Sequence, residues 1–113
     1  MKSKSGAGKS WHEQARELSF ATQAFINGRF VDAQSGAQFD SIDPATGRVL
    51  CQVAACDAAD VDSAVAAARS AFNQGSWAQM APRARKRILQ RFAEAMFKHK
   101  DELALLETLD MGK

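Results

Sequence analysis

Two cysteines and two histidines carry the most reactive side chains in this 113-residue sequence. Cys51 and Cys56 are separated by four residues, and no second pair of ligands follows them. A structural zinc ion needs four such ligands at short spacings, so this pair does not predict a zinc site. Free cysteines usually behave as small apolar side chains. We interpret both thiols in this way, and a reduced compartment fits them best.

Nucleophilic catalysis would need a base beside the nucleophile and a third group to orient that base. The only histidines are His12 and His99, and neither stands near a nucleophile-elbow motif. Asp57, Asp60 and Asp62 are grouped at the start of an apolar stretch, where helix capping accounts for them. No G-x-G-x-x-G motif is present, so the sequence contains no dinucleotide fingerprint. The residue types alone predict no active site.

Two basic features suggest phosphate binding. Residues 8–10 (GKS) match the last three positions of a P-loop motif. The first glycine of that motif would fall on Ser3, and no strand precedes the segment. We interpret residues 1–10 as a flexible tail. A second cluster lies in the first half of a predicted helix and consists of Arg83, Arg85, Lys86, Arg87 and Arg91. No aromatic residues alternate with these bases to stack nucleotides, so a solvated helix face is favoured over a phosphate or nucleic-acid site.

Composition narrows the classes of protein further. The sequence is 46% hydrophobic and 25% charged, as in a soluble globular domain, and its length allows one domain. Outside residues 1–9 it carries 12 basic and 13 acidic residues, a balance that predicts no nucleic-acid partner. No run of 18 apolar residues exists, so we expect no membrane partner.

Periodicity predicts helices and short strands along the chain. We expect a short amphipathic helix at 11–24, and strands separated by turns at 27–28, 32–37 and 43–47 within residues 25–54. Helices are predicted at 57–73, stopped by Gly75, and at 82–99, and a third begins with Asp101 as its N-cap. In the predicted helix at 57–73, Asp60 is expected to face away from the apolar stripe. The sequence stops directly after this last helix, and a fragment is therefore expected.

Four segments resemble, in order and spacing, the N-terminal region of the NAD(P)-dependent aldehyde dehydrogenase superfamily. They are FING at 25–28, DPATG at 43–47, DVDSAVAAARSAF at 60–72 and LETLDMGK at 106–113. Residues 19–28 and 101–110 look most like the γ-glutamyl-γ-aminobutyraldehyde dehydrogenases of putrescine breakdown. The resemblance implies an α/β architecture in which residues 25–113 pack around a Rossmann-like cofactor domain whose core sheet is absent here. Residues 1–24 would be a flexible tail and a short N-terminal helix.

The resemblance also implies the chemistry of the parent enzyme. In this family a cysteine thiolate attacks the aldehyde, hydride passes to NAD or NADP, and a glutamate activates the water that hydrolyses the thioester. All of these groups and the cofactor site lie downstream of the matched region. Neither cysteine here matches the family's nucleophile, so the chain is expected to hold no catalytic and no cofactor-binding residue. The parent is expected to be a cytoplasmic homodimer or homotetramer that takes an aldehyde substrate.

One smaller site carries over by resemblance. Many members hold a structural monovalent cation, and the matching positions are the backbone carbonyls of Ser41 and Ile42 and the side chain of Asp110. Oxygen ligands suit such a hard cation. The alternative is that Asp110 only caps or hydrogen-bonds near the end of its helix. An alternative to the enzyme as a whole is a stand-alone helical protein-interaction module without catalysis.

Overall fold

The computed structural model describes residues 8–113, so residues 1–7 of the tail predicted at 1–10 lie outside the described residues. Mixed helices and strands follow one another along the chain. In order they are α1 (Trp11–Glu17), β1 (Ala24–Ile26), β2 (Arg29–Val31), β3 (Gln38–Ile42), β4 (Val49–Ala54), α2 (Ala58–Gln74), α3 (Ser76–Gln79), α4 (Pro82–Lys98) and α5 (Lys100–Met111). The strands form two separate antiparallel pairs, β1 with β2 and β3 with β4.

The first strand pair is the hairpin that the sequence predicts. Asn27 and Gly28 connect β1 to β2, and both have positive φ angles, of 52° and 76°. A two-residue turn of this kind matches the twist of the strands it joins. Phe25 and Phe30 face each other across the pair with ring centroids 5.2 Å apart.

The second strand pair contains an irregularity beside the predicted turn at 43–47. Ser41 pairs with Cys51 and Ile42 pairs with Val49, so β4 has one residue more than β3 at this point. Such a β-bulge interrupts the ladder and bends the strand. The pair therefore ends in a bent segment rather than in regular strand.

The turn that follows is held by a buried aspartate. Asp43 Oδ1 accepts from the Ala45 N–H (2.9 Å), and Asp43 Oδ2 accepts from the Thr46 hydroxyl (2.9 Å). Asp43 is buried among the described residues, and its backbone carbonyl also accepts from the Gly47 N–H. The turn is therefore rigid through hydrogen bonds of its own.

Helix α2 begins as predicted, and Asp60, which was expected to face away from the apolar stripe, is buried against the loop after β2. Asp57 is the N-cap and forms a capping box with Asp60. Asp60 is only 2% exposed, because its Oδ1 accepts from the Gln34 N–H (3.0 Å) while its Oδ2 accepts from the Asp57 N–H (3.0 Å). The carboxylate thus attaches the loop after β2 to the start of α2. It is buried because both oxygens are satisfied there.

Two helix boundaries and one short helix differ from the sequence predictions. The first helix ends at Glu17, since Leu18 is extended and the chain then runs beside β4, where the Ala54 N–H donates to Thr22 O (2.8 Å). Helix α5 begins at Lys100 with His99 at its cap, so Asp101 lies inside the first turn and is not the N-cap. The short α3 was not predicted. Gly75 ends α2 as predicted, although with an extended backbone (φ −71°).

Few apolar side chains find a partner within the described residues. Ala33 and Leu105 are the only buried hydrophobic residues there, whereas Phe72 is 72% exposed and Phe92 is 60% exposed. The radius of gyration is 19.0 Å, against about 13 Å for a compact domain of this size. The accessible surface is 9434 Å², against roughly 6100 Å² for a folded monomer of this mass. The α/β elements are present, but no core sheet joins them within residues 8–113.

None of the helices in the part of the chain described here is long and apolar enough to cross a membrane.

The exposed apolar side chains predict that the isolated chain self-associates and melts without a cooperative transition. Each such side chain forgoes about 1.5–3 kcal/mol of burial free energy. Phe92→Gln should reduce association measured by size-exclusion chromatography, and Glu94→Gln on the same helix should leave it unchanged. A monomeric chain with a sharp calorimetric transition would contradict this prediction.

A second prediction concerns the pKa of Asp60. Hydrogen bonds from the Asp57 N–H and then the Gln34 N–H lower this pKa below its ordinary value. The ionised carboxylate therefore stabilises the start of α2 at and above the ordinary aspartate pKa, and this stabilisation is lost as pH falls through the lowered value. Circular dichroism between pH 6 and pH 2 should show helix loss only at the acidic end.

Two variants on α2 check this assignment. Asp60→Asn should lower the helix signal already at pH 6 and flatten its dependence on pH, whereas exposed Asp62→Asn should behave like the unchanged chain. Equal behaviour of the two variants would show that Asp60 does not hold the helix start.

Candidate functional site

The structure brings together two of the three residues singled out for a cation, and places the third beside them. The Ser41 hydroxyl donates to Asp110 Oδ1 at 2.7 Å, although the two residues are 69 positions apart. Ile42 follows Ser41 at the register shift between β3 and β4. Oxygen donors from β3 and from the end of α5 therefore meet at one place.

The elements that position these residues are themselves held together. Gly112 ends α5 in the left-handed conformation (φ 74°), and its N–H donates to Thr108 O. A Cβ built on Gly112 would lie 2.9 Å from Pro44 Cγ, so the end of α5 touches the turn that follows β3. This contact fixes the last turn of α5, which carries Asp110, against the Asp43–Pro44 segment.

An apolar groove leads to this site from the strand side. The segment before β1, the strands β3 and β4, and the last two turns of α5 all contribute to its lining, with Phe20, Leu50, Cys51, Leu106 and Met111 among the apolar residues. Ser41 and Asp110 lie in the same lining. The groove is thus mostly apolar, and its polar lining residues are Ser41, Glu107 and Asp110.

The oxygen donors of this site suit a cation. Carbonyl and carboxylate oxygens are ligands that a hard cation accepts, and the carboxylate of Asp110 supplies one negative charge. No cluster of three or more His, Cys, Asp or Glu side chains able to hold a metal occurs in residues 8–113. A site at Ser41 and Ile42 therefore depends on backbone oxygens and on Asp110.

One contact at this site was not predicted from the sequence. The resemblance singled out only the backbone carbonyl of Ser41, whereas its side chain makes the hydrogen bond to Asp110. The pairing of a serine at the end of a strand with an aspartate 69 residues later leaves no local signal. Only the folded chain identifies it.

Neither cysteine has the surroundings of a nucleophile. Burial raises the pKa of the Cys56 thiol, and the carboxylates of Asp60 and Asp57 raise it further. A reactive thiolate needs the opposite, a lowered pKa beside a cation or an imidazole. The ring of His99 contacts Glu102 (3.2 Å) rather than a thiol.

The raised pKa predicts that Cys56 alkylates more slowly than a free cysteine at pH 8, because less thiolate is present. Asp57→Asn should speed the reaction of Cys56 with iodoacetamide, followed by peptide mass spectrometry, and exposed Asp62→Asn should not. Faster alkylation of Cys56 than of a model thiol would refute the assignment.

Comparison with protein families matches residues 30–113 to the aldehyde dehydrogenase family. Among curated relatives, the mitochondrial aldehyde dehydrogenase family 2 member B4 of Arabidopsis thaliana is 52% identical over 92 residues, which are 81% of this chain and 17% of that protein. The chain therefore spans less than a fifth of this relative's length.

Solved structures of much longer chains contain the same fold. The γ-glutamyl-γ-aminobutyraldehyde dehydrogenase of Burkholderia cenocepacia superposes with a TM-score of 0.85 at 52% identity, over 88% of this chain and 20% of that one. The P. syringae indole-3-acetaldehyde dehydrogenase in complex with NAD+ gives a TM-score of 0.86 at 50% identity, over 89% and 20%. The agreement covers sequence and backbone alike over most of the chain, and this chain therefore belongs to the aldehyde dehydrogenase family.

Proposed function

We propose that this chain is the N-terminal part of an NAD(P)+-dependent enzyme that oxidises an aldehyde to its carboxylate. The observation that carries the proposal is the match of residues 30–113 to the family, together with the superposition on enzymes about five times longer. The expected substrate is γ-glutamyl-γ-aminobutyraldehyde, supported by the 52% identity to the Burkholderia cenocepacia enzyme. A cytoplasmic homodimer or homotetramer remains our expectation for the parent.

Residues 8–113 offer no fit to the cofactor itself. No dinucleotide fingerprint is present in the sequence, and Cys51 and Cys56 lack an imidazole or cation partner among the described contacts. We therefore assign the catalytic thiolate and the cofactor site to the part of the parent enzyme that lies outside this chain. The contribution of this chain is structural.

That contribution consists of apolar faces and one cation site. The exposed side of α2 carries Val61, Val65 and Phe72, and the exposed side of α4 carries Ile88, Phe92 and Met96. In the parent we expect both faces to be covered by the cofactor domain. Ser41, Ile42 and Asp110 would hold a structural monovalent cation, whose charge would offset that of the Asp110 carboxylate.

The stand-alone interaction module is not favoured. Its one support is the exposure of these faces, and a missing cofactor domain accounts for the same exposure. The family match extends from the hairpin to the end of α5, which a separate module would not require.

The proposal predicts that a chimera is active. Residues 8–113 replace the matching segment of the Burkholderia cenocepacia enzyme, and NADH formation is followed with γ-glutamyl-γ-aminobutyraldehyde and with indole-3-acetaldehyde. We expect the kcat/KM of the chimera for γ-glutamyl-γ-aminobutyraldehyde to stay within about ten-fold of the value for the Burkholderia cenocepacia enzyme. This corresponds to a loss of less than about 1.4 kcal/mol in transition-state binding.

Cysteine variants supply the control. Cys51→Ser and Cys56→Ser chimeras should retain the activity, and the 113-residue chain alone should show none. A soluble chimera without activity, or activity lost with either cysteine, would overturn the proposal.

A further inference from the structure

The turn between β1 and β2 places an asparagine side chain directly before a glycine, the residue that obstructs its own main-chain nitrogen least. Asn27 and Gly28 are both exposed. A Cβ built on Gly28 would meet no heavy atom within 4 Å, so the space around this residue is open. Within residues 8–113 the Gly28 N–H makes no backbone hydrogen bond, and the side-chain bond of the hairpin joins Gln23 to Asp32. Neither reacting group is therefore tied to another contact.

The closed turn nevertheless keeps the two groups apart. Asn27 has a left-handed backbone, with a φ of 52°. In this region ψ is about +47°, and the following nitrogen is turned away from the side chain of the same residue. The Gly28 nitrogen can therefore reach the Asn27 Cγ only after the turn has opened.

Little packing holds the hairpin closed. Strands β1 and β2 have three residues each, and in the described part of the chain they pair only with each other. The aromatic side chains that face each other across the pair, Phe25 and Phe30, are 65% and 56% exposed. A two-stranded hairpin of this kind is marginally stable at best, and weakly packed segments open locally. The hairpin is therefore expected to open while the rest of the chain keeps its structure.

We propose that Asn27 is a site of spontaneous deamidation whose rate is set by opening of the hairpin. In the open turn the Gly28 nitrogen gives its proton to a solvent base and forms a bond to the Asn27 Cγ. The bond between Cγ and the side-chain nitrogen breaks, and ammonia leaves with a proton from water. Water then opens the cyclic imide at one of its two carbonyls, which gives aspartate or isoaspartate at position 27. Water is the only co-reactant, and nothing is oxidised or reduced.

The two products differ in what they do to the hairpin. Aspartate adds a negative charge but keeps the length of the main chain. Isoaspartate adds a carbon atom to the main chain, so the two-residue turn that matches the pairing of Ile26 with Arg29 is lost. Formation of isoaspartate therefore leaves the hairpin without its closing turn.

Asn73 provides an internal control. It is exposed as well, but it lies in the last turn of α2 and is followed by Gln74. The N–H of a residue inside a helix donates to the carbonyl four positions earlier. The nitrogen that would attack the Asn73 side chain is thus held in the helix.

The test incubates the 113-residue chain at pH 6 and at pH 8 in water enriched in the heavy oxygen isotope, and follows both asparagines by peptide mass spectrometry. Asn27 should convert faster than Asn73, and its product should carry one oxygen from water. The conversion should be faster at pH 8, because the attacking nitrogen must lose its proton. Asn27→Gly keeps a residue suited to positive φ and should give no product at this position.

Two phenylalanine variants test the role of hairpin opening. Phe30→Ala should raise the conversion rate of Asn27 about two- to ten-fold, which is the effect on opening expected from the loss of one aromatic pair. Phe39→Ala on β3 removes a ring of nearly equal exposure, 55%, from the other strand pair and should leave the rate unchanged. In concentrated urea the turn is open, and the unchanged chain and both variants should convert Asn27 at one common, faster rate.

Each contrary result removes a defined part of the proposal. Conversion of Asn27 no faster than that of Asn73 overturns the modification site. Equal rates for the unchanged chain and Phe30→Ala in buffer overturn control by hairpin opening. Neither result bears on the enzyme assignment, since the reaction involves no aldehyde and no cofactor.

Discussion

The described residues present far more apolar surface than they can bury against one another, and this excess governs the rest of the structure. The helices α2 and α4 are 17 residues long, and their apolar faces stay open to solvent. Helices of this length gain most of their stability from packing of the apolar face. The elements are therefore specified within the described residues, but little apolar packing there fixes them relative to one another.

Local hydrogen bonds define the individual elements in the absence of a core. The capping box of Asp57 and Asp60 starts α2, and the side chain of Asp43 holds the turn between β3 and β4. Asp60 and Asp110 also join segments that are distant in sequence, at Gln34 and Ser41 respectively. Four aspartates thus supply much of the geometry that hydrophobic packing supplies in a self-contained domain.

Local chemistry made a large part of this fold predictable. The Asn27-Gly28 turn, the Asp57 cap and the helix stop at Gly75 each act over a few residues, and each was predicted from the sequence. The extended segment after α1 was missed because Leu18 and Ala21 also fit a helical period. In the structure, half-buried and exposed residues alternate strictly from Leu18 to Ile26, which is the period of a strand.

Long-range contacts limited the prediction of the site. Asp60 was expected only to face away from the apolar stripe, because its helical position relative to Val61 and Val65 says nothing about the Gln34 N–H that binds it from another loop. Asp110 and the Ser41–Ile42 carbonyls came from resemblance to a family, not from spacing. The direct bond between the two side chains required the register of β3 and the position of α5 together.

The approach of Gly112 to Pro44 links two segments that sequence separation would treat as independent. Any side chain at position 112 meets the proline ring, and a bulkier residue at position 44 meets the backbone at the end of α5. Neither can be exchanged freely unless the other is altered to make room. When this chain is engineered, the DPATG turn at 43–47 and the LDMGK segment at 109–113 must be redesigned together.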